Sequence, residues 1–237
     1  MEALEHPSPL VAAFNALIAP TGVHVPDYLF FCGFIVLLVG VLGLFIRSRL
    51  SVENPSHLQI VLEDLVGFLV YQLENLMGPK GRQFLPMVGT IFVFVLLGNL
   101  MGQVPGLGSP TGNINVPLGC ALTVWVYYHI QGVKAQGIVS YLKHFAAPPG
   151  IPVFLAPIML PIEIISHLSR VLSLTLRLFG NVFGEHLVVL IIASIIPFIA
   201  PLPIQFLGLI IGPLQAFIFM TLTAIYLSSA VAVDEHH

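Results

Sequence analysis

Charge is what this sequence lacks. Of its 237 residues only 8% are Asp, Glu, Lys or Arg, against roughly 25% in a soluble domain. So few charges cannot build a water-facing surface, and most of this surface is expected to face lipid. Cysteine is scarce as well: Cys32 and Cys120 lie in apolar runs and read as lipid- or core-facing thiols rather than a disulfide. CxxC pairs, zinc-like spacings, a P-loop and GxGxxG are all missing, so no metal, nucleotide or other cofactor is expected. A net charge of −3 is too small to point to nucleic acid or an acidic substrate. The opening residues MEALEHPSPL lack a basic n-region and do not read as a cleaved signal peptide. Neither a tandem repeat nor a low-complexity segment is evident.

What is there is apolar: 57% of the residues, with mean hydropathy +0.99. A helix needs about 20 apolar residues to cross the hydrocarbon, and the runs are broken by Pro and Gly. The expectation is one all-α polytopic membrane domain with about five embedded helices and one interfacial helix. After an external segment over 1–27, helices are expected over 28–46, 84–101, 116–132, 152–196 and 204–233. The segment 55–77 differs. It mixes Glu63, Asp64 and Glu74 with Leu62, Leu65, Val66, Leu69 and Leu73, which suits an amphipathic helix at the interface. The run 152–196 spans about 67 Å at 1.5 Å per residue. That exceeds a core of about 30 Å, so it requires tilt, a break or a surface portion.

The basic residues suggest an orientation. Arg47, Arg49, Lys80, Arg82, Lys134 and Lys143 fall on either side of the 55–77 segment or between the 116–132 and 152–196 helices. The first 27 residues, the loop 102–115 and the turn 197–203 have no Lys or Arg. By the positive-inside rule the former segments are cytoplasmic. This predicts five crossings, with the N-terminus outside and the C-terminus inside.

The other two arginines lie within the 152–196 run, where an ionised group costs several kcal/mol and therefore faces a bundle interior, a water cavity or a partner. At 100° per residue, His167, Arg170, Arg177, Asn181 and Glu185 fall within roughly 40° of Glu163, with Leu174 filling the gap. His186 lies next to this stripe, at its edge or beyond. Arg cannot lose its proton, so it serves as a fixed positive charge. Glu163, Glu185, His167 and His186 can exchange protons. An Arg between them blocks direct hopping, attracts a passing carboxylate and favours that group's ionised form. Other readings stay open. An intramembrane Arg–Glu pair can be structural, an Arg can bind an anionic substrate in a transporter, His167 can be a packing histidine, and Arg170 can snorkel to the cytoplasmic face.

The segment SLTLRLFGN, Ser173 to Asn181, resembles the signature of the subunit a family of rotary F-type ATP synthases. PIEIISHLSR (161–170), LQAFIFMTLTAIYLSSA (214–230), the tail DEHH and, more weakly, FLPMVGTIFVFVLLGNLMGQVPG (84–106) fit the same family. The resemblance implies that the last two helices form a long tilted hairpin around a rotating c-subunit ring. Arg177 matches the arginine that faces the ring carboxylates. Asn181 matches a polar residue on the same path, and Gln215 the last-helix glutamine close to that arginine. Glu163 matches an acidic position on the cytoplasmic approach, and Glu185 and His186 positions on the outside approach. Ser173 and Tyr226 match positions near the channel. Several members carry Glu where His186 stands, paired with His where Gly208 stands. This chain departs from that pair and leaves the outside route to Glu185 and His186 together.

The implied function is proton translocation through two half-channels against the c ring, coupled to ring rotation and ATP synthesis. The chain itself would be non-catalytic. The implied partners are the c ring, the b subunits of the peripheral stalk, the rest of the synthase and membrane lipid. No small-molecule substrate other than the proton is implied. The implied location is a bacterial plasma (inner) membrane.

Overall fold

The computed structural model describes residues 8–19, 24–51, 54–104, 107–141, 156–196 and 199–231. Its helices are α1 (Pro9–Ile18), α2 (Asp27–Arg47), α3 (His57–Met77), α4 (Leu85–Met101), α5 (Asn115–Gln136), α6 (Ala156–Ile195) and α7 (Leu202–Val231). No strand occurs among the described residues. The tail DEHH, Lys143 and the first residues of the 152–196 run lie outside the described residues.

Local chemistry sets several helix ends. Ser8 and Ser56 cap α1 and α3, each hydroxyl accepting from a backbone N–H at 3.3 Å. Asp27 sits in the first turn of α2 and Arg47 in its last, where each charge opposes the helix dipole. The segment expected to be an external arm contains α1, which is tied back to α2. Asn15 exchanges two 3.0 Å hydrogen bonds with the backbone of Val25, and Asp27 accepts from the Ser8 N–H at 2.9 Å.

The core lies between α3, α4, α5, α6 and α7. It contains Leu73, Val88, Val95, Ala121, Val124, Leu174, Leu178, Phe219, Met220 and Leu227. Small residues of α7, including Gly212, Ala216 and Ala224, are buried and let neighbouring helices approach closely, as in membrane helix pairs. By contrast, α2 buries only Phe31 and Ile35. Its exposed Leu, Val and Phe side chains form a surface suited to lipid.

Among the described residues, four segments are long and apolar enough to cross a membrane: Asp27–Arg47, Pro79–Met101, Pro157–Ile195 and Leu202–Val231. The chain is an all-α polytopic membrane protein. The segment expected as a helix over 116–132 is less apolar than these four. Helix α5 is present and has 22 residues, but it does not qualify on hydropathy. Tyr127, Tyr128, His129, Gln131, Lys134 and Gln136 occupy its second half, and it packs on α6 and α7. Helix α3 does not qualify either, in keeping with its acidic residues.

Candidate functional site

Helix α6 carries the site. Its buried residues are His167, Val171, Leu174, Thr175, Leu178 and Val182. At 100° per residue these centre roughly 70° around the helix from Glu163. The Glu163, Arg170, Arg177, Asn181, Glu185 series therefore runs along the border of the packed face. It touches the bundle on one side and an uncovered face on the other. On that open flank stand Ser166, Ser169, Ser173, Gly180 and Gly184, and a side chain at Gly180 or Gly184 would meet no atom within 4 Å.

Arg177 is at the centre of the series and exposed. Its guanidinium donates to Ser173 Oγ over a long 3.5 Å. The ion pairs among the described residues are Arg82–Glu74 and His167–Glu163, so no described carboxylate neutralises Arg177. One turn on, Asn181 Nδ2 donates to Gln215 Oε1 at 2.8 Å, joining α6 to α7. Gln215 is 3% exposed, and its Nε2 is buried without a hydrogen bond among the described residues. Such a buried donor costs about 1–3 kcal/mol. Arg177, Ser173, Asn181 and Gln215 thus form one group: a fixed cation flanked by neutral polar side chains.

Toward the C-terminal end of α6, Glu185 accepts from Gln103 Nε2 at 2.8 Å. Its carboxylate also abuts Gly208 of α7, occupying the space that a Cβ there would need. The residue facing Gly208 is therefore Glu185 and not His186. His186 turns to the other side, where a Cβ on Gly102 would stand 3.3 Å from Nε2 and one on Gly112 3.6 Å from Nδ1. Beneath them runs a buried polar chain. Ser109 and Thr111 hydroxyls share a hydrogen bond at 2.8 Å, Thr111 donates to Asn99 Oδ1 at 2.8 Å, and Asn99 Nδ2 donates to the Gly212 carbonyl at 3.1 Å.

Toward the N-terminal end, Glu163 Oε1 lies 3.1 Å from His167 Nε2. His167 is 8% exposed, and its Nδ1 meets the Tyr128 hydroxyl at 2.6 Å. His129 Nδ1 meets the Tyr141 hydroxyl at 2.6 Å, and the two imidazole rings lie 4.9 Å apart. Arg170 does not reach out along the surface. Its guanidinium stacks 4.9 Å over the Tyr226 ring of α7, a cation–π contact.

The structure thus divides the expected residues into three groups along one helix. Arg177, Ser173, Asn181 and Gln215 form the centre. Glu185 and His186 share one end without a direct hydrogen bond between them. Glu163, His167 and Tyr226 lie at the other end. From Arg177 the helix runs about 21 Å to Glu163 and about 12 Å to Glu185 at 1.5 Å per residue. Gln103, Asn99, Thr111, Tyr128, His129 and Tyr141 were not singled out by sequence reasoning. For Asn99, Gln103, Tyr128 and His129 the signal was present in the polar interruptions GNLMGQ and YYH of otherwise apolar runs; Thr111 and Tyr141 carried none.

Comparison with known proteins converges on one family. The family described as ATP synthase A chain matches residues 29–228. A protein called ATP synthase subunit a from Campylobacter jejuni subsp. jejuni (strain 81-176) is 43% identical over 216 residues, covering 90% of this chain and 94% of that protein. The protein of that name from Citrifermentans bemidjiense is 42% identical over 228 residues, 95% of this chain and 97% of its own length. The one from Geobacter sp. (strain M21) is 41% identical over the same length and shares.

Proposed function

The chain belongs to the ATP synthase subunit a family, and from that premise we propose that it forms two proton half-channels against a rotating ring of carboxylate-bearing subunits. Membership makes it a multi-pass, proton-translocating component of an ATP synthase complex whose catalysis belongs to other subunits. The observation that carries the finer reading is Arg177: exposed on the open border of α6, without a carboxylate partner among the described residues, and set between two separate titratable clusters.

A ring carboxylate passing the open flank would find its counter-charge at Arg177. Small residues on that flank allow the close approach such an encounter needs. Protons enter from the outside by Glu185 and His186 and neutralise a ring carboxylate, which then turns through lipid at low cost. On arrival beside Arg177 it releases its proton toward Glu163 and the cytoplasm. Arg177 cannot carry a proton, so it prevents a leak between the two clusters. Each charge moved through 100 mV supplies about 2.3 kcal/mol, so several protons are needed per ATP. The reading further includes a peripheral stalk of b subunits, a bacterial plasma membrane, and five crossings with α5 embedded by its packing and α3 at the interface.

Photo-crosslinking tests this. A photoreactive residue replacing the exposed Leu176 should capture a small two-helix proteolipid from intact membranes. One placed at Leu122, on the exposed side of α5, should not. Capture of lipid alone at position 176, with the complex assembled, would count against a ring on this face.

A further inference from the structure

The polar group around His167 is larger than a proton path through Glu163 requires. A carboxylate anion only accepts hydrogen bonds. His167 Nε2, 3.1 Å from Glu163 Oε1, must then carry a proton, leaving Nδ1 of the neutral ring as acceptor. The Tyr128 hydroxyl, 2.6 Å from Nδ1, is therefore the donor. The chain of bonds runs from the phenol through the imidazole to the carboxylate, and Tyr128 selects the tautomer that meets an ionised Glu163.

Tyr128 is itself held. It is 1% exposed, and its ring lies 4.5 Å from that of His129, which takes the edge of Trp125 at the same distance. His129 is fixed through Nδ1 by Tyr141. Two glycines make that contact available. Gly137 ends α5 at φ 79° and turns the chain back through a helical turn at 138–141, a conformation that L side chains rarely adopt. Gly132 leaves room for the Tyr141 ring, because a Cβ there would stand 2.5 Å from Tyr141 Cε2. The titratable and charged groups facing this assembly are Glu163 and Arg170 on α6, Tyr128 and His129 on α5, Tyr141 on the turn, and Tyr226 on α7.

We propose that Tyr128, His129 and Tyr141 are positioning residues for proton exit, holding His167 in the orientation and tautomer that meet the Glu163 carboxylate. This rests on the proton-channel reading above. When Glu163 takes a proton it becomes a donor. It does so through its other oxygen, so Oε1 still accepts from His167 Nε2–H: the neutral imidazole keeps its single proton, the Tyr128 hydroxyl keeps donating to Nδ1, and loss of the carboxylate's charge weakens the chain of bonds. Release of the proton from Glu163, whose side chain is 32% exposed, to water restores the starting bonds. The proton taken up at Glu163 is the one released, and the bonds held through Tyr128 decide how strongly the ionised carboxylate is favoured.

The test is passive proton conduction through vesicles stripped of the catalytic headpiece, followed against cytoplasmic-side pH at matched complex levels. Tyr128→Phe should move the midpoint of the pH profile by about half to one unit, the size of one hydrogen bond to an ionisable group. Gly132→Ala, which displaces Tyr141, should move it in the same direction by less. In a Glu163→Gln background Tyr128→Phe should move it no further. A midpoint unmoved by Tyr128→Phe, with only the maximal rate reduced, assigns these residues to packing and overturns the inference. If Tyr128→Phe does not accumulate, Tyr141→Phe, on a half-buried ring, decides by the same criterion. An unmoved midpoint with conduction that still depends on Arg177 counts against the positioning group alone, whereas Arg177-independent conduction counts against the channel reading.

Discussion

At the scale of single residues, the site depends on which side chains are denied a partner and which are given one. Arg177 keeps its charge at any accessible pH and has no described carboxylate beside it. Glu185 has both a donor, Gln103, and a space, left by Gly208. Adding one methyl in Gly208→Ala should push the carboxylate out of place at about 1–3 kcal/mol. Passive proton conduction should fall about tenfold or more at matched complex levels; wild-type conduction would show that Glu185 does not need this position. Asn181 and Gln215 form a pair across two helices. Gln215→Leu alone leaves the Asn181 amide short of its acceptor, at about 1–3 kcal/mol. Thermal unfolding of the solubilised complex should show Asn181→Leu/Gln215→Leu costing less than the sum of the single changes. Strict additivity would mean that the pair is not coupled. Most of this site was legible beforehand, because charged and amide residues stand out in an apolar helix and their spacing gives the face. Gln103 and Tyr128 were not, since each meets its partner across a long stretch of sequence and no periodicity reports such contacts.

At the scale of elements, α6 is the unusual one. Its 40 residues give about 60 Å of helix, more than a perpendicular crossing uses. Pro161 lies within it, and Pro213 within α7. Each removes one helical N–H, which permits bending. Helix α7 supplies the close-packed side, with Ala216 and Ala224 fully buried against the core. Ala216→Leu should overpack it at about 1–3 kcal/mol and reduce the amount of assembled chain in the membrane, read by native gel and protease resistance. Normal assembly would mean that this contact is loose. Apolar runs mark where the long helices lie, and α5 is the least apolar of those expected to be embedded. Its Tyr128 and His129 meet the buried group at His167 and its Gln136 bonds the Ala230 carbonyl of α7, and a window average records them only as lost hydropathy. Helix α1 escaped notice because ten residues, Pro9–Ile18, are too few to read as a span.

At the scale of the whole molecule, the two titratable clusters are separate, and the open border of α6 with Arg177 lies between them. The proposed orientation rests on the distribution of Lys and Arg. It predicts that Arg49→Cys reacts with a membrane-impermeant maleimide only from the cytoplasmic side, and Asn113→Cys only from the outside. Reaction of both from one side would contradict the five-crossing topology. The central claim is that Arg177 separates two half-channels which communicate only through a rotating carboxylate. It is tested most directly by potential-driven proton uptake into headpiece-stripped vesicles, comparing wild type with Arg177→Ala at equal complex content. The account predicts that the wild type conducts in a ring-dependent manner and that Arg177→Ala loses this transport while the complex still assembles. Ring-dependent uptake in Arg177→Ala equal to wild type would contradict it.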